Sequence, residues 1–176
     1  MPEIRKTITL ALGGARSGKT AYAEEYALGL AADGRNPVYV ATGQAFDDEM
    51  KARIDRHQKL RSERFETVEE PLDLPGVMER YGANDVLLID SIGVWITNHM
   101  MAEHDLNDVI EKMITALKES EASVVLVSDE IGMGIVPEGA MSRAFRDHIG
   151  MTNQRVAEIA DKVAFLVAGL PMMLKN

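Results

Sequence analysis

The run Gly13-Gly14-Ala15-Arg16-Ser17-Gly18-Lys19-Thr20 fits the spacing G-x-x-x-x-G-K-[ST]. Glycines at these positions let backbone N–H groups turn inward around a phosphate, and the start of the following helix adds a favourable dipole. Lys19 then supplies a point charge for the phosphates, and Thr20 a hydroxyl for Mg2+. A glycine-rich turn that carries Lys and Thr by chance is the bland alternative. The position of the run, between an apolar β-branched segment and a helical one, is what a phosphate loop requires. A nucleoside triphosphate is therefore the expected ligand.

A phosphate loop works with a metal-holding carboxylate at the end of a neighbouring buried strand. Val86-Leu87-Leu88-Ile89-Asp90 is four apolar residues ending in Asp, so Asp90 joins Thr20 as a candidate Mg2+ ligand. The competing reading makes Asp90 a cap for the next helix, with Ser91 behind it. Asp129-Glu130, after the run Ser123 to Ser128, is a second candidate at the same expected edge.

Between Asp47 and Arg61, acidic residues open a segment that basic residues close, as a helix dipole favours. Counting by fours places Arg53, His57 and Arg61 on one stripe. Two guanidiniums beside an imidazole repel one another unless an anion lies against them, and flanking positive charge keeps the imidazole neutral and nucleophilic. His57 is thus a candidate covalent acceptor of a phosphoryl or nucleotidyl group. A solvated basic face and a core histidine are the other readings of the same spacing.

Elements of regular structure must hold these groups together. Thr7 to Leu12, Val38 to Thr42, Val86 to Asp90, Ser123 to Ser128 and Val163 to Ala168 read as strands buried on both faces. Thr20 to Ala32, closed by Gly34, and Asp105 to Ser120 read as helices between them. Such alternation predicts an α/β fold with a mostly parallel sheet and helices on both faces, and in it ligands bind at the carboxyl ends of the strands. No repeat or long Pro/Gly/Ser linker interrupts the 176 residues, which read as one catalytic domain, 1–176. With no cysteine, thiolate metal sites, disulfides and cysteine nucleophiles are excluded. A net charge of −9 argues against a general nucleic-acid or anionic-membrane surface. The apolar run before Gly13 is too short for a signal h-region or a membrane span, so the expectation is a cytoplasmic protein with no stable membrane insertion. No lysine follows Asn or Thr, so the [NT]-K-x-D guanine reader of GTP switches is missing, and the length favours a small phosphoryl-transfer enzyme over a motor or transporter ATPase.

Several motifs occur in a characteristic order. LGGARSGKT is followed by YVATGQAFDDEMKARIDRHQKLR, TVEEP, LLIDSIGVWITN, VVLVSDEIGMGIVPE, NQRVAEIAD and VAGLP. From Gly13 to about Pro171 the chain resembles the bifunctional adenosylcobinamide kinase / adenosylcobinamide-phosphate guanylyltransferase family of cobalamin biosynthesis. The pairing of A-T-x-x-x-x-D-D-E-M-x-x-R-I-x-x-H-x-x-x-R with E-x-G-x-G-I-V-P is far more specific than a phosphate loop alone.

The resemblance implies a P-loop NTPase fold of RecA-like type, a homotrimer, and two reactions. The first phosphorylates the hydroxyl of adenosylcobinamide with ATP or GTP. In the second, a histidine matching His57 attacks the α-phosphate of GTP, releases pyrophosphate, and passes GMP to adenosylcobinamide phosphate, giving adenosylcobinamide-GDP. Nucleotide contacts carry over to Gly13, Gly14, Ala15, Arg16, Ser17, Gly18, Lys19 and Thr20, to Ala41, Thr42 and Gly43, to Gln58, Lys59, Leu60 and Arg61, and to Glu69 and Asp90. The alternative within enzymes is a small-molecule P-loop kinase that lacks guanylyl transfer. Two positions depart from the family pattern: Phe65 stands where a tryptophan is common, and Asp129 where Asn usually precedes Glu130. The loop from Ile131 to Pro137 suits apolar contact with a bulky corrinoid, or is an ordinary strand-to-helix connection.

Overall fold

The structure, a computed structural model, describes residues 5–44 and 63–176. Seven strands form one sheet in the order β3-β2-β4-β5-β1-β6-β7. They are β1 (Ile8–Gly13), β2 (Asn36–Ala41), β3 (Glu66–Glu69), β4 (Asp85–Asp90), β5 (Ser123–Asp129), β6 (Lys162–Val167) and β7 (Leu170–Lys175). All neighbouring pairs are parallel except β6 with β7. The described helices are α1 (Lys19–Ala31), α2 (Leu74–Glu79), α3 (Ile92–Met101), α4 (Leu106–Glu119) and α5 (Ala140–Ile159).

The central strands are apolar on both faces because both faces are covered. On one, Ala23, Ala27 and Ala31 recur at helical spacing along α1 and pack against Ala11, Val125 and Val127. Small side chains let α1 lie close to the sheet, which fixes the loop that feeds it. On the other face, α2 to α5 bury larger groups, among them Trp95, Met113 and Leu117, against Leu10, Leu87 and Leu126. Full burial of each such side chain stabilises the fold by roughly 1.5–3 kcal/mol. The indole N–H of Trp95 is satisfied by the carbonyl of Leu72, 2.8 Å away.

Within the described residues the expected strands and helices are present, with ends shifted by one or two residues, while the expected helical segment from Asp47 to Arg61 lies outside them. The strand expected over Val163 to Ala168 runs one residue earlier, Lys162–Val167, because Ala168 (φ 52) and Gly169 (φ 79) form the two-residue turn between β6 and β7, where both central residues take positive φ. Beyond the expected set the sheet gains two edge strands, β3 and the antiparallel β7. Among the described helices, none is long and apolar enough to cross a membrane.

Candidate active site

The carboxyl ends of β1, β4 and β5 meet at the phosphate loop. Strand β1 ends at Gly13, where a Cβ would come within 2.2 Å of Ser17 Oγ, so the turn closes only over glycine. Gly18 starts α1 at φ 91 and supplies no side-chain cap. Helices α2, α3 and α4 are capped by Asp73, Ser91 and Asp105 through their side chains. The first N–H groups of α1 therefore face the loop without a side-chain acceptor, as an anion site needs. The hairpin tip at Gly169 buttresses the loop: its N–H donates to Ser17 O at 2.8 Å, and a Cβ on Gly18 would lie 3.0 Å from its Cα.

Lys19 Nζ donates to Gly14 O at 3.1 Å and pairs with Asp129 Oδ1 at 2.9 Å. Thr20 Oγ1 donates to Asp90 Oδ2 at 3.2 Å, and Tyr39 Oη donates to the same oxygen at 2.5 Å. Asp90 does not cap the following helix: Ser91 does, accepting from Val94 N at 3.3 Å. Hydroxyl and carboxylate oxygens side by side are the hard donors that Mg2+ selects, so the residues fit the expected ion. Bound there, Mg2+ would neutralise charge on the nucleotide's phosphates, with Thr20 and Asp90 as its protein ligands. Among the described residues no cluster of three or more His, Cys, Asp or Glu is arranged to hold a metal.

Ala41, Thr42 and Gly43 form the next stretch of rim. Thr42 is buried; its Oγ1 donates to Ser91 O at 2.9 Å and accepts from Ser91 N at 2.8 Å. Asn98 Nδ2 donates to Thr42 O at 2.8 Å and to Pro71 O at 3.0 Å, so α3 fixes both this rim and the loop after β3. Glu69 ends β3 in register with Ala41. Phe65 is buried and meets Tyr39 edge-on, with ring centroids 5.8 Å apart. His57, Gln58, Lys59, Leu60 and Arg61, like Arg53, lie outside the described residues.

Sequence reasoning missed Tyr39, Gly93, Asn98 and Gly169. A Cβ on Gly93 would lie 2.5 Å from Asp129 Oδ2, so the carboxylate rests where only glycine leaves room. Nothing in the sequence signals the Tyr39 contact, because that residue reads as one more member of a buried strand. A recess of about 520 Å3 elsewhere is no rival site: its lining sets Asp73, Glu79, Glu111, Glu119 and Glu121 against one lysine, Lys112, an excess of negative charge that repels a triphosphate.

The sequence model of the family described as cobinamide kinase / cobinamide phosphate guanyltransferase matches residues 9–174. The chain is 41% identical over 170 residues to the bifunctional adenosylcobalamin biosynthesis protein CobP of Pseudomonas aeruginosa, covering 95% of this chain and 96% of that protein. It is 36% identical over 182 residues to the bifunctional adenosylcobalamin biosynthesis protein CobU of Escherichia coli K12, covering 94% and 98%. Among solved structures, the flagellar accessory protein FlaH of Methanocaldococcus jannaschii superposes with a TM-score of 0.55 at 16% identity over 97% of this chain and 78% of that one. A KaiC-like protein of Pyrococcus horikoshii gives 0.51 at 18% identity over 90% and 70%. These two likenesses establish the P-loop NTPase fold.

Proposed function

Since the chain belongs to the cobinamide kinase / cobinamide phosphate guanyltransferase family, and is a bifunctional enzyme of adenosylcobalamin biosynthesis, we propose the following course for its two reactions. In the first, the hydroxyl of adenosylcobinamide attacks the γ-phosphorus of ATP or GTP and the bond to the β-phosphate oxygen breaks, so that ADP or GDP leaves and the hydroxyl's proton is released. Catalysis of such a step is mostly positioning and charge stabilisation. Lys19, released from Asp129, reaches the β/γ-phosphates, while the N–H groups of Gly14 to Thr20 hold them. In the second, an imidazole nitrogen of His57 attacks the α-phosphorus of GTP and pyrophosphate leaves. A phosphate oxygen of adenosylcobinamide phosphate then displaces the imidazole, forming adenosylcobinamide-GDP. Covalent transfer splits one difficult displacement into two easier ones.

The observation that carries this reading is the convergence of Lys19 and Thr20, at the start of α1, with Asp90, at the end of β4, 3.2 Å separating the last two. The role of His57 rests on the motif R-I-x-x-H and the family. We further propose a cytoplasmic homotrimer, on the sequence and the resemblance. Incubation with α-labelled GTP tests the second reaction: wild type should retain acid-labile, alkali-stable label, and His57→Ala should retain none while still phosphorylating cobinamide. Label that persists in His57→Ala would refute the assignment.

A further inference from the structure

We propose that the recess between the end of α3, the loop after β5 and the start of α5 is the acceptor subsite, taking one apolar edge of the corrinoid. The inference rests on the kinase reading above and adds the residues that receive its second substrate. The recess holds about 300 Å3, and Met100, Met101, Ile131, Met141 and Phe145 supply most of its wall. That is too small for a whole corrinoid and suits the methyl-bearing rim of such a ring. Thioether side chains adapt to an irregular apolar surface better than branched ones do.

Position identifies the occupant. Gly93, which touches Asp129 beside Lys19, lies one helical turn before Thr97, and Thr97 Oγ1 donates to Gly93 O at 3.0 Å. Thr97 and Met101 continue the same stripe into the recess, so its floor begins about 6 Å along α3 from the phosphate-handling edge. Ile131, two residues after Asp129, forms another wall. A ligand seated here with a flexible hydroxyl arm can direct that arm to the γ-phosphate.

The lining is mostly apolar, which suits a corrinoid edge better than a triphosphate. Arg146, the one cation in the lining among the described residues, donates its guanidinium to the carbonyls of Gly132 and Gly134, and Arg143 is turned onto those of Pro137 and Glu138. Arg143 and the Nη2 of Arg146 are engaged in shaping the loop, and the Nη1 of Arg146, buried without a hydrogen-bond partner, is the one polar donor left beside an otherwise apolar wall. Met133, Ile135 and Val136 are 75%, 97% and 64% exposed on that loop, as a surface awaiting a large apolar partner would be.

The test uses steady-state kinetics on the full chain with cobinamide and ATP. Met141 is 63% exposed, so Met141→Glu should fold normally, and Phe145→Ala removes the recess's ring. Each should raise the KM for cobinamide about tenfold or more and leave the KM for ATP within twofold, with the melting temperature of Met141→Glu unchanged. Cobinamide KM values within twofold of wild type in both variants would overturn the subsite and leave the kinase reading standing. A rise in KM accompanied by loss of oligomer mass in light scattering would instead assign the face to a second copy of the chain, and overturn it too. Wild type that fails to phosphorylate cobinamide would remove the kinase reading itself, and this inference with it.

Discussion

Asp90 and Asp129 end neighbouring parallel strands, both follow apolar runs, and both are carboxylates at the edge that carries the phosphate loop, yet the structure gives them different partners. Register separates them in depth. Asp90 is level with Val127, and Asp129 with Gly13 at the mouth of the phosphate loop, about 6–7 Å further along the strand direction. Partners separate them in kind. Asp90 accepts from two hydroxyls, Thr20 and Tyr39. Asp129 neutralises Lys19, with side-chain exposures of 30% and 13%. Hydroxyls orient a carboxylate without satisfying its charge, so Asp90 stays available to a cation. A lysine satisfies it, so Asp129 competes with whatever anion the lysine is meant to bind. A carboxylate at a strand end is thus left open to a cation or taken up by an internal one according to what faces it.

The strongest way to break this contrast is to remove what the phosphate and Asp129 share. Lys19→Ala should lower kcat/KM of both reactions by on the order of 10²–10³-fold, because the site loses a positioned ammonium from a pre-built anion cradle. Unchanged rates in both would remove the phosphate-loop assignment. Asp90→Asn should come next, lowering kcat by roughly tenfold to a hundredfold and moving the Mg2+ requirement to higher concentration. A normal Mg2+ titration in that variant would return Asp90 to a purely structural role.

The contrast also shows what a sequence can and cannot disclose. Central strands were legible because burial on both faces writes itself as an unbroken apolar run, and α4 because Leu106, Val109, Ile110, Met113, Ile114 and Leu117 keep one face of a helix. Strand β3 was not, since Glu66-Thr67-Val68-Glu69 has only half-buried central residues and becomes a strand because the open edge of β2 accepts it. Strand β7 was hidden too: every residue is exposed, and its turn uses Ala168-Gly169 in place of the Asn-Gly or Asp-Gly signal. In the site, spacing alone disclosed the loop, because Gly13 to Thr20 are contiguous. Tyr39 with Asp90, Gly93 with Asp129 and Lys19 with Asp129 join residues from different strands and helices, which only the register brings into contact.

Asp129→Asn should act with the opposite sign to Lys19→Ala. It keeps the shape over Gly93 and frees Lys19, so nucleotide should bind more tightly. A partly exposed ion pair contributes up to about 1 kcal/mol, which corresponds to roughly fivefold in affinity. The gain should be largest without Mg2+, where the lost negative charge would otherwise face the bare phosphates. Equilibrium binding of GTP with and without Mg2+ measures it. Weaker binding in Asp129→Asn would show that the carboxylate serves the bound state, as a metal ligand or water holder, and would dissolve the distinction from Asp90.

The smallest effect should come from Tyr39→Phe, which removes one donor from Asp90 and nothing else in shape. The ring stays packed edge-on against Phe65, and the side chain is 1% exposed, so no cavity opens. A hydrogen bond to a charged group contributes roughly 1.5–3 kcal/mol to stability. Thr20, 3.2 Å from the same oxygen, retains its bond and limits the loss. The expected cost in unfolding free energy is therefore about 1 kcal/mol, a few degrees in Tm for a chain of this size. Catalysis should fall less, because a cation bound by Asp90 orients the carboxylate in place of the missing hydroxyl. At saturating Mg2+ the kcat of phosphorylation should stay within about threefold of wild type, while the Mg2+ concentration for half-maximal rate shifts by a similar factor. A kcat loss beyond tenfold at saturating Mg2+ would mean that Tyr39 acts on the reaction itself and that the two hydroxyls on Asp90 are not equivalent orienting groups.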